Sequence, residues 1–166
     1  MSELAGTELS HIDEHGHAVM VNVTAKDLTH RVARARATVR GVGDLSSRSG
    51  GSSDVLALAR AAGLLGAKQT SALIPLCHPL PLSALEVELL VIGDDVEITA
   101  TAETFGQTGV EMEALTACAL ASLSLVASVS PASAEVSIEG LGLLEKSGGR
   151  SGTWTRDAAR AQVRPS

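Results

Sequence analysis

Leu85-Glu86-Val87-Glu88-Leu89-Leu90-Val91-Ile92-Gly93-Asp94-Asp95-Val96-Glu97-Ile98-Thr99-Ala100-Thr101-Ala102-Glu103 decides the fold. Leu85, Val87, Leu89 and Val91 alternate with Glu86 and Glu88. Beyond Gly93-Asp94-Asp95, Val96, Ile98, Ala100 and Ala102 alternate with Glu97, Thr99, Thr101 and Glu103. A period of two on both sides of a short turn predicts an antiparallel hairpin with one apolar face.

Working outward, Val32 to Arg40 alternates the same way. Ala35, Ala37 and Val39 lie on one face, and Arg34, Arg36, Thr38 and Arg40 on the other. Ala18 to Val23 reads as a further short strand, and Glu135 to Leu144 as the last one, through Val136, Ile138 and Leu141. Val55, Leu56, Leu58, Ala59, Ala62 and Leu65 repeat at helical spacing, which predicts a helix from Asp54 to about Thr70. Ser46 to Ser53, rich in Ser and Gly, reads as a mobile loop before it. Ser71 to Leu82 holds Pro75, Pro79 and Pro81, which argue against helix and central strand. A second helix, apolar on nearly every side and therefore buried, is predicted from Thr108 or Gly109 to Val129, with Pro131 ending it. The order strand, helix, strand, strand, helix, strand predicts an α+β, ferredoxin-like split βαβ fold with an antiparallel sheet.

With 166 residues the chain suits one domain. Residues 1–17 read as a flexible arm, 18–152 as the domain and 153–166 as a flexible tail. Hydrophobic residues make up 45% but aromatics only 1%, so the core is built from Ala, Leu, Val and Ile. The lack of stacking platforms and a net charge of -6 argue against nucleic-acid binding. Cys77 and Cys118 are too few for a disulfide framework or a structural zinc site, and no histidine pair has metal-ligand spacing. No apolar run is expected to span a membrane, and no basic, apolar leader opens the chain. A reduced, cytoplasmic setting and no membrane partner are expected.

His78, between Cys77 and Pro79, is a candidate for proton transfer because the flanking prolines restrict the backbone and imidazole titrates near neutrality. It reads equally as a histidine that hydrogen-bonds its own loop. Glu111 and Glu113 open the long helix, where the helix dipole favours acids whatever their role. Their spacing points them in different directions, so one can cap while the other faces a cleft. Asp54 is ambiguous in the same way. Cys77 reads as packing rather than as a nucleophile paired with His78, since neighbours in an extended segment point apart. Lys146-Ser147-Gly148-Gly149-Arg150-Ser151-Gly152 brings two cations to a glycine-rich loop suited to an anion. Arg34, Arg36 and Arg40 form a basic stripe, either solvated or the wall of an anion pocket.

Taken together, these segments resemble the cyclic pyranopterin monophosphate synthase family of molybdenum cofactor biosynthesis. The resemblance runs from His11-Ile12-Asp13 and Met20-Val21-Asn22-Val23, through Ala59-Arg60-Ala61-Ala62-Gly63, Ala67-Lys68 and Leu73-Ile74-Pro75-Leu76-Cys77-His78-Pro79-Leu80. It continues over Gly106 to Ala117 and Lys146 to Gly152. It implies a ferredoxin-like fold and a homo-oligomer, a dimer or a hexamer built from dimers, with sites at subunit interfaces. It also implies a reaction that turns a cyclised guanosine triphosphate derivative into a pyranopterin with release of pyrophosphate. His78, Glu111 and Glu113 take the catalytic places. Arg40, Lys68, Cys77, Met112, Lys146 and Arg150 are candidates for holding a nucleotide- or pterin-like substrate. No metal or other cofactor is implied.

Three positions depart from the family pattern: Ser52 stands for a lysine, Ala127 for an acid and Ser130 for a lysine. Pyrophosphate loss draws on placed cations, so the departures favour a repurposed cyclase, lyase or isomerase acting on a less phosphorylated substrate. A genuine synthase with compensating cations is the second reading, and a non-catalytic binding or regulatory subunit the third.

Overall fold

The computed structural model describes residues 11–45, 51–129, 135–150 and 152–156, without the side chains of 51 and 52. The elements are β1 (Thr29–Arg40), α1 (Gly51–Lys68), α2 (Thr70–Leu73), β2 (Leu82–Ile92), β3 (Asp95–Gly106), α3 (Glu111–Val129), β4 (Ser137–Ser147) and β5 (Trp154–Thr155).

The hairpin forms as read, with Leu89 opposite Ile98 and Val87 opposite Ala100. The sheet order is β2-β3-β1-β4-β5, every neighbouring pair antiparallel. β3 thus lies between β1 and β2, which is the split that the ferredoxin-like plan requires. Ala33, Ala35, Ala37 and Val39 of β1 face the helices and are fully buried, while Arg34, Arg36 and Arg40 are exposed on the other face.

Small side chains set the depth of the core. α3 packs on α1 and on β1, β3 and β4. A Cβ at Gly63 would stand 2.9 Å from the Ala117 carbonyl, and one at Gly66 would stand 2.8 Å from Leu120. Two helices this close tolerate nothing larger than glycine at the crossing. Leu125 of α3 is fully buried, and cutting it to Ala would cost about 2–5 kcal/mol.

Several expectations are corrected. Ala18–Val23 is not a strand: only Ala18 bridges, to Ile12, because Asp13 Oδ1 accepts the amides of His15 and His17 and turns residues 11–19 back on themselves. α1 begins at Gly51, so 51–53 are helical, and residues 46–50 of the expected loop lie outside the described residues. α2 occupies 70–73, where no helix was expected. The prolines begin only at Pro75, and Thr70 Oγ1 bonds the carbonyls of Gly66 and Ala67, carrying the chain on from α1. Trp154–Thr155, expected in the tail, pairs with Glu145 and Lys146 as β5. The break in the β4 alternation between Ile138 and Leu141 is a bulge, with Gly140 at φ +62°. α3 is long and apolar enough, by length and composition, to cross a bilayer, contrary to expectation. Its Ala114, Ala117, Cys118, Ala121, Leu125 and Val129 are buried inside the fold. Ser130 and Pro131 lie outside the described residues.

Candidate active site

The segment between α2 and β2 is shaped by its prolines. The Cys77 amide donates to the Ile74 carbonyl at 3.2 Å, closing a turn with Pro75 second and Leu76 third. Leu76 sits at φ +64°, a left-handed conformation that non-glycine residues take at a cost. Thr104 Oγ1 donates to the Pro81 carbonyl at 2.7 Å and ties the segment to β3. The turn delivers Cys77 and His78 to the N-terminal end of α3.

There they meet an open cavity of about 400 Å3. His78, Glu111, Cys77, Met112, Lys26 and His11 all contribute to its wall. His78 and Glu111 therefore share one space. Glu111 folds its carboxylate back over Gly109, where any Cβ would collide with it. Its Oε1 accepts from Lys146 Nζ at 3.0 Å, an ion pair with both side chains about one-third exposed.

Glu113 is different. It does not line the cavity and is 3% exposed. Its Oε1 lies 3.9 Å from Cys77 Sγ, and Oε2 is buried without a hydrogen-bond partner among the described residues. Burial, reinforced by the neighbouring Glu111 charge, pushes its carboxyl above the ordinary glutamate value. Burial likewise pushes the Cys77 thiol up, with Glu113 adding to it. Two carboxyls in one helical turn thus have opposite environments: one ion-paired at the cavity, one desolvated behind it.

Cations gather on the same side. A second hollow of about 280 Å3, sharing Lys26 with the first, is lined by Asp27, Thr29, Arg31, Gly149 and Arg150. Arg31 donates to the carbonyls of Gly106 and Gln107, both at 3.1 Å, and Gln107 Nε2 donates to the Lys26 carbonyl at 3.0 Å. These bonds fix Lys26 and Arg31 to the turn that opens α3. His11, Lys26 and Arg31 were not singled out for this site from sequence. The only signal was that His11 and the stretch ending at Val23 belong to the quoted resemblance.

Other expected residues lie elsewhere. Arg40 is at the opposite end of β1, roughly 30 Å from Arg31, and pairs with Asp95 and Glu139. Lys68 is exposed and absent from the cavity wall. The departures are also distant. A helix rises about 1.5 Å per residue, so Ala127 is roughly 24 Å along α3 from Glu111, and Ser52 is a similar distance along α1 from Lys68. Because α1 leads through α2 to Cys77, Ser52 and Ala127 fall at the end away from His78. Ser52 and Ala127 therefore do not strip this cavity of charge within one chain. Among the described residues, no group of three His, Cys, Asp or Glu could hold a metal ion.

Residues 20–149 match the MoaC family. The chain is 47% identical to the cyclic pyranopterin monophosphate synthase of Thermomicrobium roseum, covering 93% of this chain and 97% of the relative. It is 49% identical to that of Novosphingobium aromaticivorans, covering 89% and 96%, and 49% identical to that of Streptomyces coelicolor, covering 89% of each. The match spans most of the chain, His78 and the two acids opening α3 included, and this chain belongs to the MoaC family.

Proposed function

We propose that the chain is a cyclic pyranopterin monophosphate synthase of molybdenum cofactor biosynthesis, acting on a cyclised guanosine triphosphate derivative and releasing pyrophosphate. The observation that carries this reading is the shared cavity of His78 and Glu111, with Lys146, Lys26, Arg31 and Arg150 close by. Relatives at 47–49% identity over about nine-tenths of the chain bear the synthase name, which favours the family substrate over a changed one.

In this reading His78 moves protons at the reacting ring, and Glu111, oriented by Lys146, is its carboxylate partner. Glu113 is the second acid, its carboxyl raised by burial toward the protonated form and reached from the cavity through Cys77. Lys26, Arg31 and Arg150 hold the phosphates. The reaction runs in the cytoplasm, in a homo-oligomer in which a second copy sets the end bearing Ser52 and Ala127 over the cavity.

The grouping of the departures at one end favours a second reading, in which the chain supplies only the His78 half of a shared site. Incubating the purified protein with the cyclised nucleotide and measuring pyrophosphate separates the two. Release by the protein alone supports the synthase. Release only after mixing with the Thermomicrobium roseum enzyme carrying its own His-to-Ala change at the position matching His78 supports the shared site. No release in either case refutes both.

A further inference from the structure

The arginine stripe of β1 is not used by the site above and lies on the other face of the sheet. There, Arg34, Arg36 and Arg156 line a hollow of about 550 Å3 with Glu145, Thr155 and Gly140. Arg34 pairs across the ladder with Glu145, and Arg36 with Gly142. Arg36 lies 3.6 Å from Glu97, whereas Arg34 has no ion pair among the described residues. Arg156 arrives from just beyond β5: its Nε donates to the Leu143 carbonyl at 2.6 Å, and its guanidinium lies over Gly142, in the space a Cβ would fill. The floor of the hollow is thus shaped to admit the third guanidinium. Three guanidiniums stand with the Glu145 carboxylate in the hollow and Arg36 also reaches Glu97, so cations still outnumber acids there, while Glu88 lines the next hollow, beyond Arg34.

We infer that this outer-face hollow is a second anion site, for the phosphoryl group of a small phosphorylated molecule, held by Arg34, Arg36 and Arg156. Guanidinium forks match phosphate oxygens in pairs, and the volume suits a small ligand. A cationic excess in a half-enclosed space raises the local concentration of such anions.

Inorganic pyrophosphate is the probe. It is titrated by calorimetry and by the arginine Nε–H resonances, into the full chain and into Arg34→Gln/Arg36→Gln, Gly142→Ala and Lys146→Gln. Lys146→Gln removes the competing cation beside Glu111 and should leave the Arg34 and Arg36 shifts in place. Arg34→Gln/Arg36→Gln should weaken this binding by at least about tenfold, the loss of one or more charge-assisted bonds, with pyrophosphate release from substrate unchanged. Gly142→Ala keeps every charge and displaces only the flexible end of Arg156. It should weaken binding about threefold or more with an unchanged melting temperature. Arginine resonances that stay still, or equal affinity in wild type and Arg34→Gln/Arg36→Gln, overturn the proposal. So does a drop in oligomer mass in that variant without a change in affinity, which would assign the arginines to carboxylates of a second copy.

Discussion

The two ends of the helix layer differ in kind. The end where α3 begins holds His78, Glu111, Glu113, Cys77 and Lys146 in contact or around one cavity. The other end, roughly 24 Å along α3, offers exposed Ala127 and the start of α1. The same two helices build both ends, so stability does not explain the contrast. A buried glutamate with an orphan oxygen and a leucine at positive φ are costs that packing alone has no reason to keep. Both costs fall at the first end.

The largest effect should come from Glu111→Gln, which keeps the shape and removes both the charge and the ion pair with Lys146. Pyrophosphate release should fall by about 10²–10⁴, the usual loss for an acid–base group, with the melting temperature little changed. Next, supplying cations at the departures from the family pattern, as Ser52→Lys with Ser130→Lys, should raise release by about tenfold if a second copy brings the end bearing Ser52 to the phosphates. An unchanged rate would sever the two ends functionally.

Glu113 sharpens the contrast through pH. Its folded-state value lies above the ordinary one, so the folded protein holds a proton that the unfolded chain gives up. That contribution is fully present below the ordinary glutamate value and is lost as pH rises through the raised one. Glu113→Gln should remove the slope, so denaturation midpoints of wild type and variant should diverge with rising pH above about 4.5. Parallel curves would mean an unburdened carboxylate. The smallest effect belongs to Arg40→Gln. Far from the cavity and about half exposed, it should change KM by less than about twofold, read in the same release assay.

Much of this was legible from sequence. Period-two alternation fixed β1 and the hairpin because one face of each strand must meet the helices, and a helix apolar on nearly every side, as α3 is, had to be buried. Pro75 and Pro79 flagged His78, and the dipole-favoured acids flagged the start of α3. What escaped reading depends on distance in space. Arg40 and Lys146 look alike as cations, yet only pairing β1 with β3 and β4 puts one beside Asp95 and the other beside Glu111. Lys26 and Arg31 carry no local pattern. Hydrogen bonds to the 106–107 turn, remote in sequence, place them. Ser52 and Ala127 stand away from that cavity within one chain, a separation that a linear motif does not carry because it lacks the length of a helix.

The most direct test sets one residue from each end in the same assay: pyrophosphate release from the cyclised guanosine triphosphate derivative by His78→Ala and by Ala127→Ser, beside the unaltered protein. A loss of at least about 100-fold for His78→Ala, with Ala127→Ser within about twofold of the unaltered rate, is predicted. Equal losses at the two ends, or full activity without the imidazole, would contradict the account.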